Sequence, residues 1–329
     1  MSFFAVLLAL VLEQLKSIPR DTRIHEAATA WCRWTARNFD AGRPQHAKVV
    51  WWLSVAGPAL AVWVLHLLIA HFSLILALAL HVGVLVLTLG FRSFSHYITD
   101  IRVALERGDE VAARQLMSEW LHLDASELPQ SEVLRHVIEH GLLAAHRHVF
   151  GVFFFFVLMA ALGFGAAGAV FYRMAEFMSR YWAYRSQSLQ GVTNEELRRV
   201  SAEYFGAVDY LPARLTAFGF AVVGNFEEAI NGWRRDAPLW QQANEGIILS
   251  AAAGAVGVQL GGHAAPGVTP DRSKTFATGA APEAMDSTGS TAGVPPVLGH
   301  LRSVVALVWR SVVLWMLLLA LLTLANLVG

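Results

Sequence analysis

The stretch from Val49 to Phe91, VVWWLSVAGPALAVWVLHLLIAHFSLILALALHVGVLVLTLGF, contains no Asp, Glu, Lys or Arg. A helix that crosses a membrane needs about 20 mostly apolar residues, so the stretch has room for two. Little chain is left between the two apolar runs, which predicts a helical hairpin with spans near 49–72 and 73–91. The core of the fold is therefore expected to lie in a membrane.

The composition of the whole chain agrees with that expectation. Of its 329 residues, 55% are hydrophobic and 15% are charged, whereas soluble proteins carry about 25% charged residues. Lys+Arg and Asp+Glu number 25 each, so the charge balance predicts no nucleic-acid partner. The single Cys32 excludes an internal disulfide and a thiolate metal cluster.

The segments that flank the hairpin set its orientation. A hairpin places residues 17–48 and 92–148 on the same face of the membrane, and both are rich in Arg, so the positive-inside rule puts them in the cytoplasm. Residues 1–15 form an apolar helix that is too short to span. Within 17–48, Trp31 and Trp34 fit an amphipathic helix at the membrane interface, and an ordinary cytosolic helix is an equal alternative.

Three later segments complete the predicted domain organisation. Residues 92–148 are read as cytoplasmic helices, and 149–174 is long enough for a tilted span, although its GFGAAGA core could instead form a re-entrant hairpin. Residues 263–300, rich in Pro, Gly, Ser and Thr, are expected to be a flexible, disordered linker. Residues 301–329 form the last span, after a membrane domain over 1–262.

The fold class that follows is all-α, since no segment has a convincing strand pattern. We expect a polytopic, integral membrane helical bundle with cytoplasmic amphipathic helices and a linker before the last span. The lipid bilayer is its expected surroundings, and the bacterial inner membrane is its expected, multi-pass location. The sequence leaves homo-oligomers and the topology of 149–299 open.

The stretch from Asp209 to Trp233, DYLPARLTAFGFAVVGNFEEAINGW, mixes charges with lipid-grade apolar residues. A charge in hydrocarbon costs roughly 3 kcal/mol or more, so such a stretch is the default candidate for a functional site. Pro212 fits the first turn of a helix that the Asp209 carboxylate can cap. The planar fork of Arg214 could bind a carboxylate or phosphate, and a purely structural, capped helix start is the even alternative.

Three other motifs favour structural interpretations. Residues 163–168 match G-x-G-x-x-G, but no strand precedes them, so helix-packing glycines are preferred over a dinucleotide site. His136 and His140 match H-x-x-E-H, but the sequence marks no third zinc ligand. His96 and Asp100 are spaced as a local pair on one helix, although they stay candidates because a span opens into the cytoplasm there.

Two segments carry a family resemblance. PARLTA, 212–217, and ANEGIILSAAAGAVGVQLGG, 243–262, resemble the CobD/CbiB superfamily of membrane proteins, as do Glu139 and Tyr172-Arg173. The resemblance implies a helical membrane protein, and synthase members join an aminopropanol-type group to a corrinoid carboxylate. The overall layout, including RSFSHYITDI, 92–101, and GNFEEAINGW, 224–233, is more similar to the AmpE-like branch, which implies an inner-membrane protein linked to β-lactamase induction.

The chain departs from the synthase pattern where acids would suit Mg²⁺ and nucleotide. Counting forward from Glu139, Leu143, Ala144 and Arg147 stand at those positions. The first hypothesis is therefore a regulatory or sensory AmpE-like protein with a polar pocket for a small anionic ligand or a corrinoid. The second is a cobinamide-type amide synthase that uses ATP and Mg²⁺, with Glu139 and Asp209 as catalytic candidates. The residues predicted to line the pocket, with no protein-held metal assigned, are Arg92, His96, Asp100, Glu139, Tyr172, Arg173, Asp209, Arg214 and Asn244.

Overall fold

A computed structural model describes residues 2–15, 22–40, 42–121, 125–126, 128–188, 192–262 and 289–328 of the chain. Helices account for nearly all of them, and the described residues contain only isolated β-bridges, Val258 to Val294 and Gly261 to Ser290, in place of strands. Fourteen α-helices are described: α1 Ser2–Leu15, α2 Thr22–Phe39, α3 Pro44–Phe72, α4 Leu74–Thr88, α5 Phe91–Glu106, α6 Glu110–Leu121, α7 Gln130–Ala145, α8 Gly151–Ala161, α9 Ala167–Ser188, α10 Val192–Val208, α11 Tyr210–Val223, α12 Phe226–Asp236, α13 Ala243–Val256 and α14 Leu298–Val328.

Three helical stretches of the described chain are long and apolar enough to cross a membrane. They are Pro44–Phe72, Leu298–Ala325 and Gln130–Ala161, the last made of α7, a π-helical turn at His146–Phe150 and α8. The all-α membrane fold predicted from the sequence is therefore confirmed. The middle candidate, Gln130–Ala161, begins within the segment read as cytoplasmic, and two charged residues of its α7, Arg135 and Glu139, are buried.

The chain divides into two compact units. Unit 1 comprises Met1–Gly90, Arg147–Asp209 and Leu319–Gly329, and unit 2 comprises Phe91–His146 and Tyr210–Leu318. In unit 1, α3 and α4 form the predicted hairpin, and the Ser73 hydroxyl between them accepts a hydrogen bond from the Leu76 amide at 3.4 Å. Helix α4 has 15 residues, fewer than a full span needs.

The segment 149–174, predicted as a tilted span or a hairpin, is a helical hairpin. Helix α8 ends at Ala161 and α9 begins at Ala167, because Gly163 (φ 86°) and Gly165 (φ 58°) adopt a conformation that other residues rarely adopt. The Trp63 indole donates to the Gly163 carbonyl at 3.3 Å. Glycines 163 and 165 therefore form the turn. The third glycine of the G-x-G-x-x-G motif, Gly168, lies within helix α9 and packs against Phe155 and Met159.

Substituting the two turn glycines is expected to separate backbone strain from steric overlap. A Cβ on Gly163 would meet no atom within 4 Å, whereas one on Gly165 would lie 2.8 Å from the His66 ring and 2.9 Å from His81. Gly163→Ala should therefore cost only the left-handed strain, roughly 1–2 kcal/mol, and Gly165→Ala should cost about 1–3 kcal/mol more. Thermal unfolding in one detergent measures both, and equal losses would contradict the packing described here.

Unit 2 is built from α5–α7, α11–α13 and the part of α14 up to Leu318. The predicted break at Gly108-Asp109 is present, since Gly108 has φ 76° and the Asp109 carboxylate accepts from the Ala112 amide at 2.9 Å. Helix α13 ends at Gly257, and residues 257–262 form a turn that hydrogen-bonds with residues 289–294. This turn, 257–262, is called the glycine turn below.

Part of the predicted linker is ordered. Residues 263–288 lie outside the described residues, but Gly262 donates to the Gly289 carbonyl at 2.8 Å and Thr291 donates to the Leu260 carbonyl at 2.9 Å. The expectation of a flexible 263–300 therefore needs correction over 289–300. This segment has the composition of a linker. Its backbone groups, however, form hydrogen bonds with partners some 30 residues away in sequence, which local composition does not reveal.

Asp236 anchors the returning chain, and its protonation should weaken unit 2. Its carboxylate accepts from Arg235 at 2.7 and 3.0 Å and from the Ala292 amide at 3.2 Å. The Arg235 hydrogen bonds hold the pKa of Asp236 below its ordinary value. Because the folded pKa is depressed, the stabilisation is present above the unfolded pKa, near 3.9, and is lost as pH falls through the folded value.

Asp236→Asn is therefore expected to destabilise the protein at neutral pH by about 1 kcal/mol, since Arg235 is largely exposed. Unfolding curves of the wild type and the variant should converge as the pH falls below about 3.9. A difference that stays constant down to the lowest pH at which the protein folds would contradict the assignment.

Candidate functional site

Unit 1 contains a buried tyrosine–aspartate pair. The Tyr172 hydroxyl, on α9, donates to the Asp209 carboxylate at 2.7 Å, and both residues are buried, with Tyr172 fully inaccessible. The Tyr172 ring stacks on Phe155 with centroids 5.5 Å apart, and a side chain on Gly151 would overlap the ring. The ring thus packs closely against α8 while its hydroxyl binds Asp209.

Helix α11 begins directly after Asp209, at Tyr210, which places Pro212 in its first turn as predicted. The carboxylate proposed from the sequence as a helix cap accepts the buried Tyr172 hydrogen bond. A hydrogen bond to an ionised acceptor is roughly twice as strong as a neutral one. Tyr172 and Asp209, which the sequence suggested only as members of one long set, are therefore brought together as a pair.

A second ionic group of unit 1 lies on α9. Glu176 is fully buried and pairs with Arg173 at 2.7 Å and with Arg180. It lies outside the three candidate spans. Burial raises the pKa of Glu176, but Arg180 and Arg173 outweigh that effect and hold the pKa below its ordinary value. Arg173, predicted as a ligand contact, thus serves this buried carboxylate.

In unit 2, Glu139 is the centre of a buried network on α7. Its Oε1 accepts from the Gly261 amide at 2.7 Å and from Arg135 Nη1 at 3.4 Å. Arg135 also binds Glu132, and His136 Nδ1 lies 3.8 Å from Glu139 Oε2. The positive φ of Gly261, 78°, turns its N–H toward the carboxylate. Glu139 therefore joins a candidate span to the glycine turn.

Arg214 and Asn244 are also brought together in unit 2. Arg214 Nη1 donates to the Tyr210 carbonyl at 2.7 Å and to Asn244 Oδ1 at 3.2 Å. Its guanidinium lies over the Tyr210 ring, 3.3 Å from the centroid, which is a cation–π contact. Arg214 is half-buried.

The remaining predicted residues lie apart from these groups. His96 and Asp100 are exposed on α5, and the side chain of Arg92 lies outside the described residues. His140, from the H-x-x-E-H motif, has its ring edge against Trp120 at 4.5 Å. In the described chain, no group of three or more His, Cys, Asp or Glu side chains could hold a metal ion.

The resemblance implies Mg²⁺ for a synthase, so the oxygens that these groups offer matter. The Glu139 oxygen that faces the glycine turn is engaged by an amide and an arginine, and Asp209 accepts a hydroxyl. Mg²⁺ prefers several free carboxylate oxygens together with substrate phosphates. The described residues therefore do not fit such a site.

Three residues of these groups were missed at the sequence level: Glu176, Arg135 and Gly261. The ionic partners of Glu176 and Arg135 stand at i, i+3 or i, i+4 spacing, which is a readable signal for a helical pair. That spacing cannot show burial. The bond from Gly261 to Glu139 joins residues 122 apart in sequence, and no local pattern predicts it.

The chain is similar in sequence to proteins of one named family. The family model described as CobD/Cbib protein matches residues 2–290. A cobalamin biosynthesis protein CobD from Stutzerimonas stutzeri is 30% identical over 324 residues, which is 96% of each chain. A CobD protein from Chromobacterium violaceum is 32% identical over 66% of this chain and 68% of its own.

A more distant relative is the cobalamin biosynthesis protein CbiB from Salmonella typhimurium, 26% identical over 53% of each chain. No solved structure gives a significant match. The family model covers far more than half of the residues, and the Stutzerimonas relative matches along nearly the whole length. The chain therefore belongs to the CobD/CbiB protein family.

Proposed function

We propose that the protein acts in cobalamin biosynthesis in the bacterial inner membrane, as an amide-forming synthase of the CobD/CbiB type. The observation that carries this proposal is the match to relatives named for cobalamin biosynthesis, one of them aligned over 96% of both chains. These relatives carry biosynthetic names, so the second of the two sequence hypotheses becomes the main one. The AmpE-like regulatory role stays a prediction without support from them.

The proposed reaction joins the amine of an aminopropanol-type group to a corrinoid carboxylate. Forming an amide from a carboxylate and an amine in water is uphill, so we propose ATP as co-substrate. The carboxylate displaces ADP from the terminal phosphate to give an acyl phosphate. The amine then attacks the acyl carbon, phosphate leaves, and one proton of the attacking nitrogen must be removed.

We propose Asp209 as the group that accepts this proton. A general base needs a carboxylate in a fixed orientation, and the hydrogen bond from Tyr172 at 2.7 Å supplies that orientation. Tyr172 is then a positioning residue, held by its stacking on Phe155. Arg214, paired with Asn244, is a separate proposed contact for an anionic ligand in unit 2.

For Glu139 we propose positioning of the glycine turn and not proton transfer. The Gly261 amide and Arg135 both donate to the same oxygen of Glu139, which favours a structural anchor. A positioning role predicts that Glu139→Gln, which keeps an acceptor oxygen, retains more activity than Glu139→Ala.

The experiment is complementation of a bacterial strain that lacks its cobinamide synthase, scored as cobalamin-dependent growth. The wild-type chain should restore growth, Asp209→Asn should not, and Tyr172→Phe should restore it partly. Each variant must reach the wild-type level in isolated membranes. The matched control is Asp109→Asn, an exposed helix-capping aspartate of unit 2, which should support wild-type growth.

Absence of growth with the wild-type chain, expressed and inserted normally, would refute the synthase proposal. Normal growth with Asp209→Asn would instead refute only the role given to Asp209. The two failures are therefore distinguishable.

A further inference from the structure

Helix α2 contacts the first candidate span at a defined depth. The hydroxyls of Thr35 on α2 and Ser54 on α3 are 2.6 Å apart, and the Trp31 ring lies 3.1 Å from the position of a Cβ on Gly57. Ser54 precedes the end of α3, Phe72, by about 27 Å at 1.5 Å rise per residue. The hydrocarbon core of a bilayer is about 30 Å thick. We place Phe72, which ends α3 at the turn of the uncharged hairpin 49–91, at one boundary, and this placement puts Ser54 and the adjacent part of α2 near the other.

The other end of α2 is also held in unit 1. His25 packs edge-on against Phe177 of α9, with ring centroids 5.2 Å apart. The inward face of α2 is apolar, and its Cys32 is completely buried in a cluster with Val50 and Met178. Helix α2 is therefore a packed element of the unit, and its opposite face is exposed.

That outward face combines cations with an aromatic ring. Arg33 and Arg37, one helical turn apart, are exposed, and Trp34 beside them is 51% exposed. The Trp34 ring is held in place by stacking on Trp31 at 5.3 Å and by the edge of Phe39 at 5.9 Å. Tryptophan is enriched at this depth in membrane proteins because its ring is apolar and its N–H is polar.

The charge around this face favours an anionic partner. Glu26 is the one acid in the sequence of α2, and it lies two turns before Arg33. Two further exposed cations, Arg43 and Lys48, flank the start of α3. The acids Glu176, Glu195 and Glu196 of α9 and α10 are each paired with an arginine of their own helix, so they do not offset these cations. Asp40, three residues after Arg37, is the nearest acid in sequence, and its carboxylate accepts from the Gly42 amide at 2.9 Å.

We propose that Arg33, Arg37 and Trp34 form a binding surface for the headgroup of an anionic phospholipid. The guanidinium groups can donate paired hydrogen bonds to phosphate oxygens, which is a geometry that lysine cannot reproduce. The Trp34 ring lies against the glycerol region just below. The occupant is a lipid because the surface lies at the hydrocarbon boundary, where phospholipid phosphates are concentrated. This inference does not depend on the proposed reaction.

The test measures binding of phosphatidylglycerol to the purified full chain in detergent, by thermal-shift titration and by native mass spectrometry. Phosphatidylcholine is the zwitterionic comparison. Arg33→Gln/Arg37→Gln should bind phosphatidylglycerol about 30-fold more weakly, since each basic side chain near an anionic surface contributes roughly a factor of 5. The affinity of Arg33→Lys/Arg37→Lys should lie between that of the wild type and that of Arg33→Gln/Arg37→Gln. The matched control is Arg198→Gln/Arg199→Gln, which removes two exposed arginines of α10 and should bind as the wild type does.

Equal affinity of Arg33→Gln/Arg37→Gln and the wild type would overturn the proposal. It would also be overturned if inorganic phosphate stabilised the protein as well as the lipid does, or if the same substitutions dissolved a dimer with no change in lipid binding. If Arg33→Gln/Arg37→Gln unfolds at a lower temperature than the wild type without lipid, the deciding measurement is the lipid affinity of Arg33→Lys/Arg37→Lys, because that variant keeps the charge. Its affinity must then fall steeply as salt is added, and a salt-independent affinity would count against the headgroup contact.

Discussion

Glu139→Ala is expected to lower the free energy of unfolding by about 3–5 kcal/mol, the usual cost of removing one partner from a buried ion pair. The substitution would leave the buried Arg135 guanidinium without its Glu139 contact and the Gly261 amide without its carboxylate acceptor. Since native proteins are stable by only about 5–15 kcal/mol, a large part of the protein would fail to fold. Thermal unfolding and the yield of inserted protein measure the effect.

Glu139→Gln provides the graded comparison. It keeps an oxygen for the Gly261 amide but loses the charge that faces Arg135, so we expect a loss smaller than that of Glu139→Ala. The matched control is Glu110→Ala, which removes an exposed carboxylate paired with Arg114 at the same i, i+4 spacing, and it should leave the unfolding midpoint unchanged. If Glu139→Ala and Glu110→Ala behaved alike, the buried network would not carry the stability assigned to it.

The second large effect is expected for Glu176→Ala in unit 1. Glu176 is completely buried between Arg173 and Arg180, so its removal would leave two guanidinium groups facing each other without the anion. We expect a loss of about 3–5 kcal/mol. The double variant Glu176→Leu/Arg173→Leu should be more stable than Glu176→Ala, because it removes one of the uncompensated charges.

The control for Glu176 is Glu195→Ala, an exposed carboxylate that pairs with Arg198 at the i, i+3 spacing also present between Arg173 and Glu176. Its removal should leave the unfolding midpoint where it is, since exposed ion pairs contribute little. The measurement is urea or thermal unfolding in a fixed detergent. A loss for Glu195→Ala as large as that for Glu176→Ala would contradict the distinction between the two pairs.

Much of the fold could be predicted from local patterns. The α3–α4 hairpin follows from two uncharged runs, the α5–α6 junction follows from Gly108-Asp109, and the start of α11 follows from Asp209 and Pro212. Each of these features depends on residues that are neighbours in sequence. Hydropathy, turn-forming glycines and helix-start signals therefore sufficed to place them.

The features that could not be predicted depend on tertiary contacts. Helix α7 reads as cytoplasmic because it carries Glu132, Arg135 and Glu139, but these side chains bind one another, and Glu139 also binds the glycine turn. Burial of paired charges is invisible to hydropathy. The order of residues 289–294 likewise comes from hydrogen bonds to the glycine turn, against a composition typical of linkers.

For the candidate site too, residues could be predicted from the sequence but their tertiary contacts could not. The sequence singled out Tyr172, Asp209, Arg214 and Asn244, and the structure pairs them as Tyr172 with Asp209 and Arg214 with Asn244. The sequence alone could not assign those pairs, because they join residues that are 37 and 30 positions apart. His96 and Asp100 were chosen for their place at the end of a span, but the side chains are exposed on α5.

The most direct test of the synthase proposal is amide formation by the purified protein in lipid nanodiscs. The protein is mixed with a corrinoid that carries the free carboxylate, an aminopropanol-type amine, ATP and Mg²⁺, and the corrinoids are analysed by mass spectrometry. A cobinamide synthase of established activity is run in parallel. We predict an ATP-dependent product whose mass equals that of the two reactants less one water, and no such product with Asp209→Asn. Absence of that product from folded wild-type protein, while the parallel enzyme forms it, would contradict the proposed function.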